Sequence, residues 1–130
     1  MCNVRGVGID LSSVNRMEEL LDNERWLNRC FTQQEAAYIR SRGSAAAESM
    51  AGLWCAKEAA LKALGTGLAL SLTDIEILHR ASGQPYYRLH GKALEAAQGG
   101  AMHLSISHDG GMAIAICVWE SGVSCGEDTR

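Results

Sequence analysis

Polar residues that could act together on a phosphate group occur in three separate parts of the chain. Asp10 lies within an apolar segment near the start, Glu58 and Lys62 lie in a long apolar stretch, and His108 and Asp109 follow a later apolar segment. Carboxylate oxygens are preferred ligands of Mg²⁺, and a lysine ammonium group stabilises charge on a phosphate. Two carboxylates and a lysine therefore suit magnesium-assisted chemistry at a phosphate, if the fold brings them together.

Glu58 and Lys62 belong to the stretch from Ser44 to Gly67, which predicts one long helix capped by Gly65. The stretch is rich in Ala, Leu and Met and contains no proline. Because residues four apart share a helix face, the pair is either a surface ion pair contributing about 0.3–0.5 kcal/mol or part of a site. The apolar surroundings favour a site, because an ionised group beside buried surface needs a partner.

Asp10 interrupts the apolar pattern of a predicted first strand, Val4 to Leu11. Alternation of side chains places Asp10 on the face opposite Ile9 and Leu11. The carboxylate is therefore an exposed strand residue, a helix-capping acid or a ligand. The local sequence leaves these three readings open.

The elements that must position these residues are helices in the first half of the chain and hairpin strands in the second. After the first strand, the pattern predicts helices around 14–21, 23–30 and 32–42 and then the long helix. It next predicts a strand from Leu72 that ends near His79 and Arg80, a strand at 86–89, a helix at 92–98, and strands at 102–107 and 112–118. This order predicts an α+β fold in one domain, residues 1–120, with one antiparallel sheet wrapped on the long central helix. Residues 121–130 are predicted to be a disordered tail.

The last two predicted strands form a hairpin, with His108-Asp109-Gly110-Gly111 as its turn. Met112 to Val118 is apolar throughout, which predicts a strand buried on both faces. Such a strand would lie at the centre of the sheet, or be covered by the long helix or by a neighbouring subunit.

Composition excludes several classes of function. The net charge of −3 does not indicate general nucleic-acid binding, which requires a basic surface. A hydrophobic content of 47% is ordinary for a globular protein. The five cysteines are odd in number and form no C-x-x-C pair, so reduced thiols are expected. No apolar run approaches the roughly 20 residues that span a bilayer. We therefore expect a cytoplasmic protein without nucleic-acid or membrane partners.

Three segments together resemble the motifs of a known enzyme family. The segments are Gly6–Leu11, Ala56–Gly67 and Leu104–His108. Their order and spacing, and the chain length, are similar to those of the holo-acyl-carrier-protein synthases, the small single-domain 4'-phosphopantetheinyl transferases. Gly83-Gln84-Pro85 also resembles the hairpin turn of that family. The resemblance extends from Val4 to Glu120, and the combination of motifs is specific.

The resemblance implies transfer of 4'-phosphopantetheine from coenzyme A to a serine of an apo acyl carrier protein, with release of adenosine 3',5'-bisphosphate. Asp10 and Glu58 would hold Mg²⁺, and Glu58 and Lys62 would be the catalytic residues, Lys62 by stabilising the pyrophosphate and the departing oxygen. The serine proton would be taken by Glu58, by a metal-bound water, or by His108.

The resemblance also implies binding sites for both substrates. The implied coenzyme A-binding residues are Arg42, Lys62, Gly65, Pro85, His108 and Asp109. The implied carrier-binding residues on the first helix are Arg16, Leu20 and Arg25. This chain is less basic than many relatives before the central helix, and Leu53 stands where an arginine is common. Acidic residues also crowd the first helix, so affinity for coenzyme A or the choice of carrier is expected to differ.

Family members form trimers with active sites between protomers, so that the helix motif of one subunit faces the first-strand and last-turn residues of another. The apolar final strand suits such a trimer interface, or it is simply the centre of a monomer's sheet.

Two rival functions use the same residues. One is a different magnesium enzyme that acts on a nucleotide phosphoanhydride. The other is a catalytically silent relative that binds coenzyme A or a carrier protein as an interaction module.

Overall fold

A helix of 19 residues packs along one face of a sheet and carries a larger share of the buried core than any other element described. The structure, a computed structural model, describes residues 3–65 and 69–122. In chain order its elements are β1 (Val4–Ser13), α1 (Val14–Leu20), α2 (Glu24–Cys30), α3 (Gln33–Ser41), α4 (Ala46–Leu64), β2 (Ile75–His79), β3 (Pro85–Leu89), α5 (Gly91–Ala96), β4 (Ala101–Asp109) and β5 (Met112–Glu120). Short 3₁₀ turns precede α4 at Gly43–Ala45 and precede β2 at Leu72–Asp74.

The strands form two antiparallel sheets. Strand β5 lies between β1 and β4 in the order β1-β5-β4, while β2 and β3 form a separate hairpin. The α+β fold with a long helix against an antiparallel sheet is therefore confirmed, but the single sheet that the pattern predicted is divided into two.

Helix α4 begins two residues later than predicted and ends where predicted. Gly43 has a positive φ of 56°, and the chain makes a 3₁₀ turn there before the helix begins at Ala46. At the other end, Gly65 adopts the left-handed conformation, with φ 72°, and its N–H donates to the Leu61 carbonyl at 3.0 Å. A left-handed glycine is the predicted cap, because glycine adopts this conformation without a Cβ clash. Residues 66 and 67 lie outside the described residues.

Two glycines of β1 bring the strand backbone into contact with α4. A Cβ on Gly8 would lie 1.8 Å from the Ala59 carbonyl oxygen, and a Cβ on Gly6 would lie 1.9 Å from that of Ala63. Only glycine fits at this separation, and the alanines on α4 leave the same space free from the other side. This close approach places the next residue on the same face of the strand, Asp10, against the helix.

Strand β5 is the central strand, but only one of its faces is buried. Ala113, Ala115 and Cys117 are buried against α4, whereas Ile114 and Ile116 are 38% and 40% exposed. The prediction of burial on both faces is thus wrong for the single chain. Helix α4 covers one face of the sheet, and no described element covers the other.

His108 and Asp109 extend β4 instead of forming the turn. Asp109 pairs with Met112, which leaves Gly110 and Gly111 as a two-residue loop with φ of 57° and 78°. Two positive φ angles in succession are typical of the tight hairpin turn that matches the twist of antiparallel strands.

Two other boundaries differ from the predictions. The predicted strand from Leu72 starts only at Ile75, because Leu72–Asp74 turns back as a 3₁₀ helix. The predicted tail begins with a residue that is hydrogen-bonded: Ser121 donates its N–H to the Asn3 carbonyl at 2.8 Å. Residues 123–130 of that tail lie outside the described residues. No helix within the described ranges has the length and apolar character needed to cross a bilayer.

Candidate functional site

Asp10 and Lys62 meet across the contact between β1 and α4. The Lys62 Nζ donates to Asp10 Oδ1 at 3.3 Å and to the Ile9 carbonyl at 2.9 Å. The Asp10 side chain is only 17% exposed, and that of Lys62 is 55% exposed. Of the three readings of Asp10, the exposed strand carboxylate and the helix cap are therefore wrong.

Glu58 is half-buried and lies one helical turn before Lys62, close enough to Asp10 for the charge of Asp10 to affect its pKa. Burial raises the pKa of Glu58, the negative charge of Asp10 raises it further, and Lys62 and Arg16 act in the opposite direction. Two carboxylates thus repel each other beside one half-exposed ammonium group. A cation between them would relieve this repulsion.

The donor set fits Mg²⁺. This ion is usually bound by one or two carboxylates and completes its shell with water and substrate phosphate oxygens. The described ranges contain no cluster of three or more His, Cys, Asp or Glu side chains able to enclose a metal ion. Asp10 and Glu58 are the residues that could hold such an ion.

Cys55 underlies the two carboxylates, and the sequence pattern did not single it out. Burial, followed by the charge of Asp10, raises the pKa of its thiol to about 12, and Sγ donates to the Ala113 carbonyl at 3.4 Å. Burial therefore disfavours the thiolate of Cys55 in the metal-free protein. The sequence feature that could have indicated Cys55 is its position three residues before Glu58, because this spacing places both residues on one face of α4.

A cleft of about 200 Å³ opens beside the first half of α4. Its lining residues are Tyr38, Ser49, Gly52, Leu53, His79, Gly83, Pro85, Ile106 and His108. Strand β4, the turn before β3 and helix α3 supply the wall opposite α4. Two of the predicted coenzyme A-binding residues, Pro85 and His108, therefore lie in one cleft.

His108 is held against α4 by the helix backbone. The His108 Nε2 donates to the Glu48 carbonyl at 2.9 Å, and a Cβ on Gly52 would lie 3.0 Å from this nitrogen. Because Nε2 carries the proton in this bond, Nδ1 of the neutral ring is the acceptor. Gly52 thus makes room for the imidazole, which is not a freely solvated turn residue.

The other predicted coenzyme A-binding residues are dispersed. The Arg42 guanidinium lies 5.6 Å from the centre of the Tyr38 ring, at the edge of the cleft. Lys62 and Gly65 lie towards the opposite end of α4. Asp109 lines a shallow hollow with Leu11 and Met112 and does not line the cleft.

Tyr38 and His79 are cleft residues that the sequence pattern did not indicate. Their rings stack 4.0 Å apart at an interplanar angle of 15°. Burial lowers the pKa of His79, and the positive charge of Arg42 lowers it further, so the ring is neutral near pH 7. They come from α3 and β2, and no spacing in the sequence indicates that these elements meet.

The cleft and the acidic site, formed by Asp10 and Glu58, lie along the same seam, by which we mean the line of contact between α4 and the sheet. Ile106 in the cleft and Asp10 in the acidic site both pair with Ala115, one strand away on either side. With strands about 4.8 Å apart, the two positions are separated by roughly 10 Å. One extended ligand could therefore occupy both.

The predicted carrier-binding residues lie on two helices instead of one. Arg16 and Leu20 belong to α1, and Arg25 belongs to α2. Arg16 is exposed yet close enough to lower the pKa of Glu58, so α1 borders the acidic site.

The first-strand and helix residues meet within one chain. The expected pairing of the helix motif with a first strand from another subunit is wrong for Asp10 and Lys62, whose contact is intramolecular. The physical reason is the glycine-to-alanine contact of β1 with α4, which holds these two elements of the same chain together.

Fold and site together define a small α+β protein that presents two carboxylates and a lysine beside a cleft, as an enzyme acting on a phosphate ester would. The family model of the 4'-phosphopantetheinyl transferase superfamily matches residues 6–117. The holo-[acyl-carrier-protein] synthases of Treponema denticola and Trichlorobacter lovleyi are 40% and 42% identical to the chain. The alignments cover 90% and 91% of this chain and 98% of each relative.

A solved structure agrees with the sequence relatives. The holo-(acyl-carrier-protein) synthase from Bacillus anthracis, in complex with CoA (3',5'-ADP), superposes with a TM-score of 0.78 at 35% identity. The superposition covers 92% of this chain and 98% of that one. The chain therefore belongs to the holo-acyl-carrier-protein synthase family, transferases of the 4'-phosphopantetheinyl transferase superfamily.

Proposed function

We propose that this chain transfers 4'-phosphopantetheine from coenzyme A to a serine of an apo acyl carrier protein in a Mg²⁺-dependent reaction that releases adenosine 3',5'-bisphosphate. Both relatives are named as holo-[acyl-carrier-protein] synthases, and the Bacillus anthracis structure holds CoA (3',5'-ADP). The observation that carries the proposal is the meeting of Asp10, Glu58 and Lys62 on the seam that continues into the cleft.

In the proposed reaction the cleft holds the nucleotide end of coenzyme A and the acidic site holds its pyrophosphate. The serine Oγ attacks the phosphorus that carries pantetheine, and the bond from this phosphorus to the bridging pyrophosphate oxygen breaks. When bound between Asp10 and Glu58, Mg²⁺ would neutralise the carboxylates and the charge on the phosphate oxygens. Lys62 stabilises the departing oxygen, because its half-exposed ammonium group is already directed at Asp10.

Glu58, directly or through a water, is the better candidate to accept the serine proton. It belongs to the acidic site, and in the metal-free protein burial and the charge of Asp10 raise its pKa, which favours uptake of a proton there. His108 is the weaker candidate, because its ring is held at the Glu48 carbonyl, ten residues before Glu58 on α4 and so about 15 Å away along the helix.

Arg16, Leu20 and Arg25 are proposed to receive the carrier. Support comes from the position of α1 beside Glu58, which would bring a docked carrier serine to the acidic site. Four acidic residues around these positions are exposed: Glu18, Glu19, Asp22 and Glu24. Because they repel negative charge, we expect the preferred carrier to have a less acidic surface than one that docks on a purely basic helix.

We also propose a homotrimer. The uncovered face of the sheet exposes a set of apolar residues on β1 and β5: Val7, Ile9, Leu11, Ile114 and Ile116. Contiguous apolar surface of this kind indicates a protein contact. Ile9 and Leu11 of this patch flank Asp10 in β1 but point to the opposite face of the sheet, so a second copy on the patch would cover the back of the strand that carries Asp10.

The test of the transfer reaction is the mass of an apo carrier incubated with coenzyme A and this protein. The expected result is a gain of about 340 Da that requires Mg²⁺, the mass of the group transferred by the metal-assisted reaction. Asp10→Asn and Glu58→Gln should abolish the gain, and Lys62→Ala should lower its rate. Lys92→Ala, which removes an exposed lysine on α5, is the matched control and should keep the wild-type rate.

Three outcomes would contradict the proposal. Coenzyme A binding without any mass gain would favour the catalytically silent relative. Cleavage of coenzyme A or of another nucleotide without transfer to the carrier would favour a different phosphoanhydride enzyme. Full activity of either carboxylate variant with Mg²⁺ would overturn the metal assignment.

A further inference from the structure

Lys57 is the largest fully buried side chain among the described residues, although it is charged and adjoins Glu58. Its Nζ contacts Glu35 Oε1 at 2.8 Å and donates to the carbonyls of Leu72 at 2.8 Å and Ile75 at 2.6 Å. Three acceptors satisfy the three protons of the ammonium group. The side chains of Lys57 and Glu35 are both 0% exposed.

Glu35 extends the network to two more elements. Its Oε1 accepts from the Thr32 N–H at 2.9 Å and its Oε2 accepts from the Ile77 N–H at 2.7 Å. One ion pair thus connects the start of α3, the middle of α4 and strand β2. We call Lys57, Glu35 and the backbone groups they bind the buried ionic hub.

Stability alone does not explain the buried ionic hub. Taking two charges out of water costs free energy that their attraction often fails to recover, and apolar replacements of whole buried pairs are frequently neutral or stabilising. The charges do provide a directional contact, because each hydrogen bond requires a particular orientation of α4.

On the opposite side of α4, the directional contacts with β1 come from Lys62, which donates to Asp10 Oδ1 at 3.3 Å and to the Ile9 carbonyl at 2.9 Å but has a side chain that is 55% exposed. There the contact is between glycine backbone and alanine, Gly8 with Ala59 and Gly6 with Ala63. This contact sets the distance between helix and strand, and the hydrogen bonds that orient α4 on this side come from the long, half-exposed Lys62 side chain instead of from a fully buried group. A rotation of about 20° would move a side-chain end by about 2 Å, given a helix diameter of about 10–12 Å.

The acidic site is sensitive to such a rotation. Glu58 and Asp10 repel each other, so their charges tend to turn Glu58 away from the strand. Next to Lys57, the Tyr87 hydroxyl of β3 donates to the Ala56 carbonyl at 2.6 Å. This bond and the buried ionic hub both connect the middle of α4 to the β2–β3 hairpin.

We propose that the buried ionic hub is a positioning device that helps to fix the rotation of α4, so that the Glu58 side chain keeps its orientation towards Asp10. Lys57 and Glu35 are positioning residues in this account, since neither reaches the acidic site. The proposal rests on the proposed function, because it assumes that Asp10 and Glu58 bind a divalent cation.

The test is binding of Mn²⁺, followed by electron paramagnetic resonance, to the full chain with and without coenzyme A. The double variant Lys57→Met/Glu35→Gln removes both charges, and the carbonyl oxygen of the introduced amide still accepts from the Ile77 N–H. We expect it to remain folded, with Mn²⁺ affinity about tenfold weaker, the size of effect typical when groups that orient metal ligands are removed.

The matched control makes the same changes in an exposed ion pair. Arg40 and Glu24 lie 3.5 Å apart with side chains 61% and 67% exposed. Arg40→Met/Glu24→Gln should keep the wild-type affinity for Mn²⁺.

Lys57→Arg is the second test variant, to be used if the double variant does not fold. Its planar guanidinium retains the charge but cannot reproduce the three hydrogen bonds of the ammonium group. It too should bind Mn²⁺ more weakly.

The outcomes separate the two proposals. Wild-type Mn²⁺ affinity in a folded hub variant, even with a lowered melting temperature, would show a purely structural role and overturn the positioning role. Wild-type protein that binds no Mn²⁺, even with coenzyme A, would instead overturn the metal assignment on which both proposals rest.

Discussion

At the scale of single residues, the carboxylate of Glu58 lies where burial and the charge of Asp10 make its ionised form unfavourable. Burial and Asp10 raise its pKa above the ordinary value of 4.5. The folded state therefore binds this proton more tightly than the unfolded state, so folding stability declines as pH rises from the unfolded pKa through the folded pKa. At pH values above the folded pKa, Glu58 is ionised in the metal-free protein, and its unfavourable charge lowers the free energy of unfolding by the full amount.

Glu58→Gln should consequently stabilise the metal-free protein while removing metal binding. In EDTA at pH 7 we expect a melting temperature about 1–3 °C higher than wild type, a modest figure because Glu58 is partly solvated. The difference should shrink as the pH falls below the unfolded pKa, where wild-type Glu58 is protonated too. Differential scanning calorimetry across this pH range measures both effects.

Glu95→Gln on α5 is the control for this measurement. Glu95 is exposed, so its replacement should change the melting temperature by less than Glu58→Gln at pH 7. Adding Mg²⁺ should raise the melting temperature of wild type and leave that of Glu58→Gln unchanged, because only the former binds the ion. A Glu58→Gln protein less stable than wild type in EDTA would contradict the proposed repulsion.

At the scale of elements, the contact of β1 with α4 decides whether the site exists. Gly8→Ala would place a Cβ where the Ala59 carbonyl oxygen lies, so the strand must move away from the helix. We expect a loss of about 2–3 kcal/mol in the free energy of unfolding, the upper part of the range for overpacking. Because Asp10 moves with the strand, turnover should fall as well. Urea denaturation and the carrier mass assay check the two results.

Gly99→Ala separates this clash from simple backbone strain. Gly99 has a positive φ of 73°, but a Cβ there meets no atom within 4 Å. A left-handed alanine costs about 1–2 kcal/mol, so some stability should be lost while turnover by the remaining folded protein is kept. Equal loss of turnover in both variants would show that general destabilisation, and not the approach of β1, is responsible.

At the scale of the whole molecule, the apolar face of the sheet should govern assembly. The trimer predicts a solution mass near three times the 14.0 kDa of the chain. Ile116→Lys places a charge in the middle of that face and should give a folded monomer, since an uncompensated charge in an interface is costly. Size-exclusion chromatography with light scattering measures the mass.

Leu94→Lys provides the matched control for assembly. Leu94 is 55% exposed, similar to the apolar residues of the sheet face, but it lies on α5. This variant should retain the wild-type mass. A wild-type protein that is monomeric at all concentrations, or an Ile116→Lys protein that remains trimeric, would contradict the assembly proposed for this face.

Local sequence determined the helices and their ends. Thr32 and Glu35 form a capping box at the start of α3, and Gly65 ends α4 in the predicted left-handed conformation. These features depend on hydrogen bonds within a few residues, so spacing alone specifies them. The alternation around Asp10 likewise placed its carboxylate on the face opposite Ile9 and Leu11.

Tertiary structure decided what those residues meet. The sequence shows Lys57, Glu58 and Lys62 as three charges on an apolar helix, but only packing distinguishes the fully buried Lys57 from the exposed Lys62. The acceptors of Lys57 come from Glu35 and from the segment before β2, at separations that no local pattern encodes. The same holds for Tyr38 and His79, whose stacking depends on the docking of α3 against β2, because long-range contacts arise from packing of the whole chain.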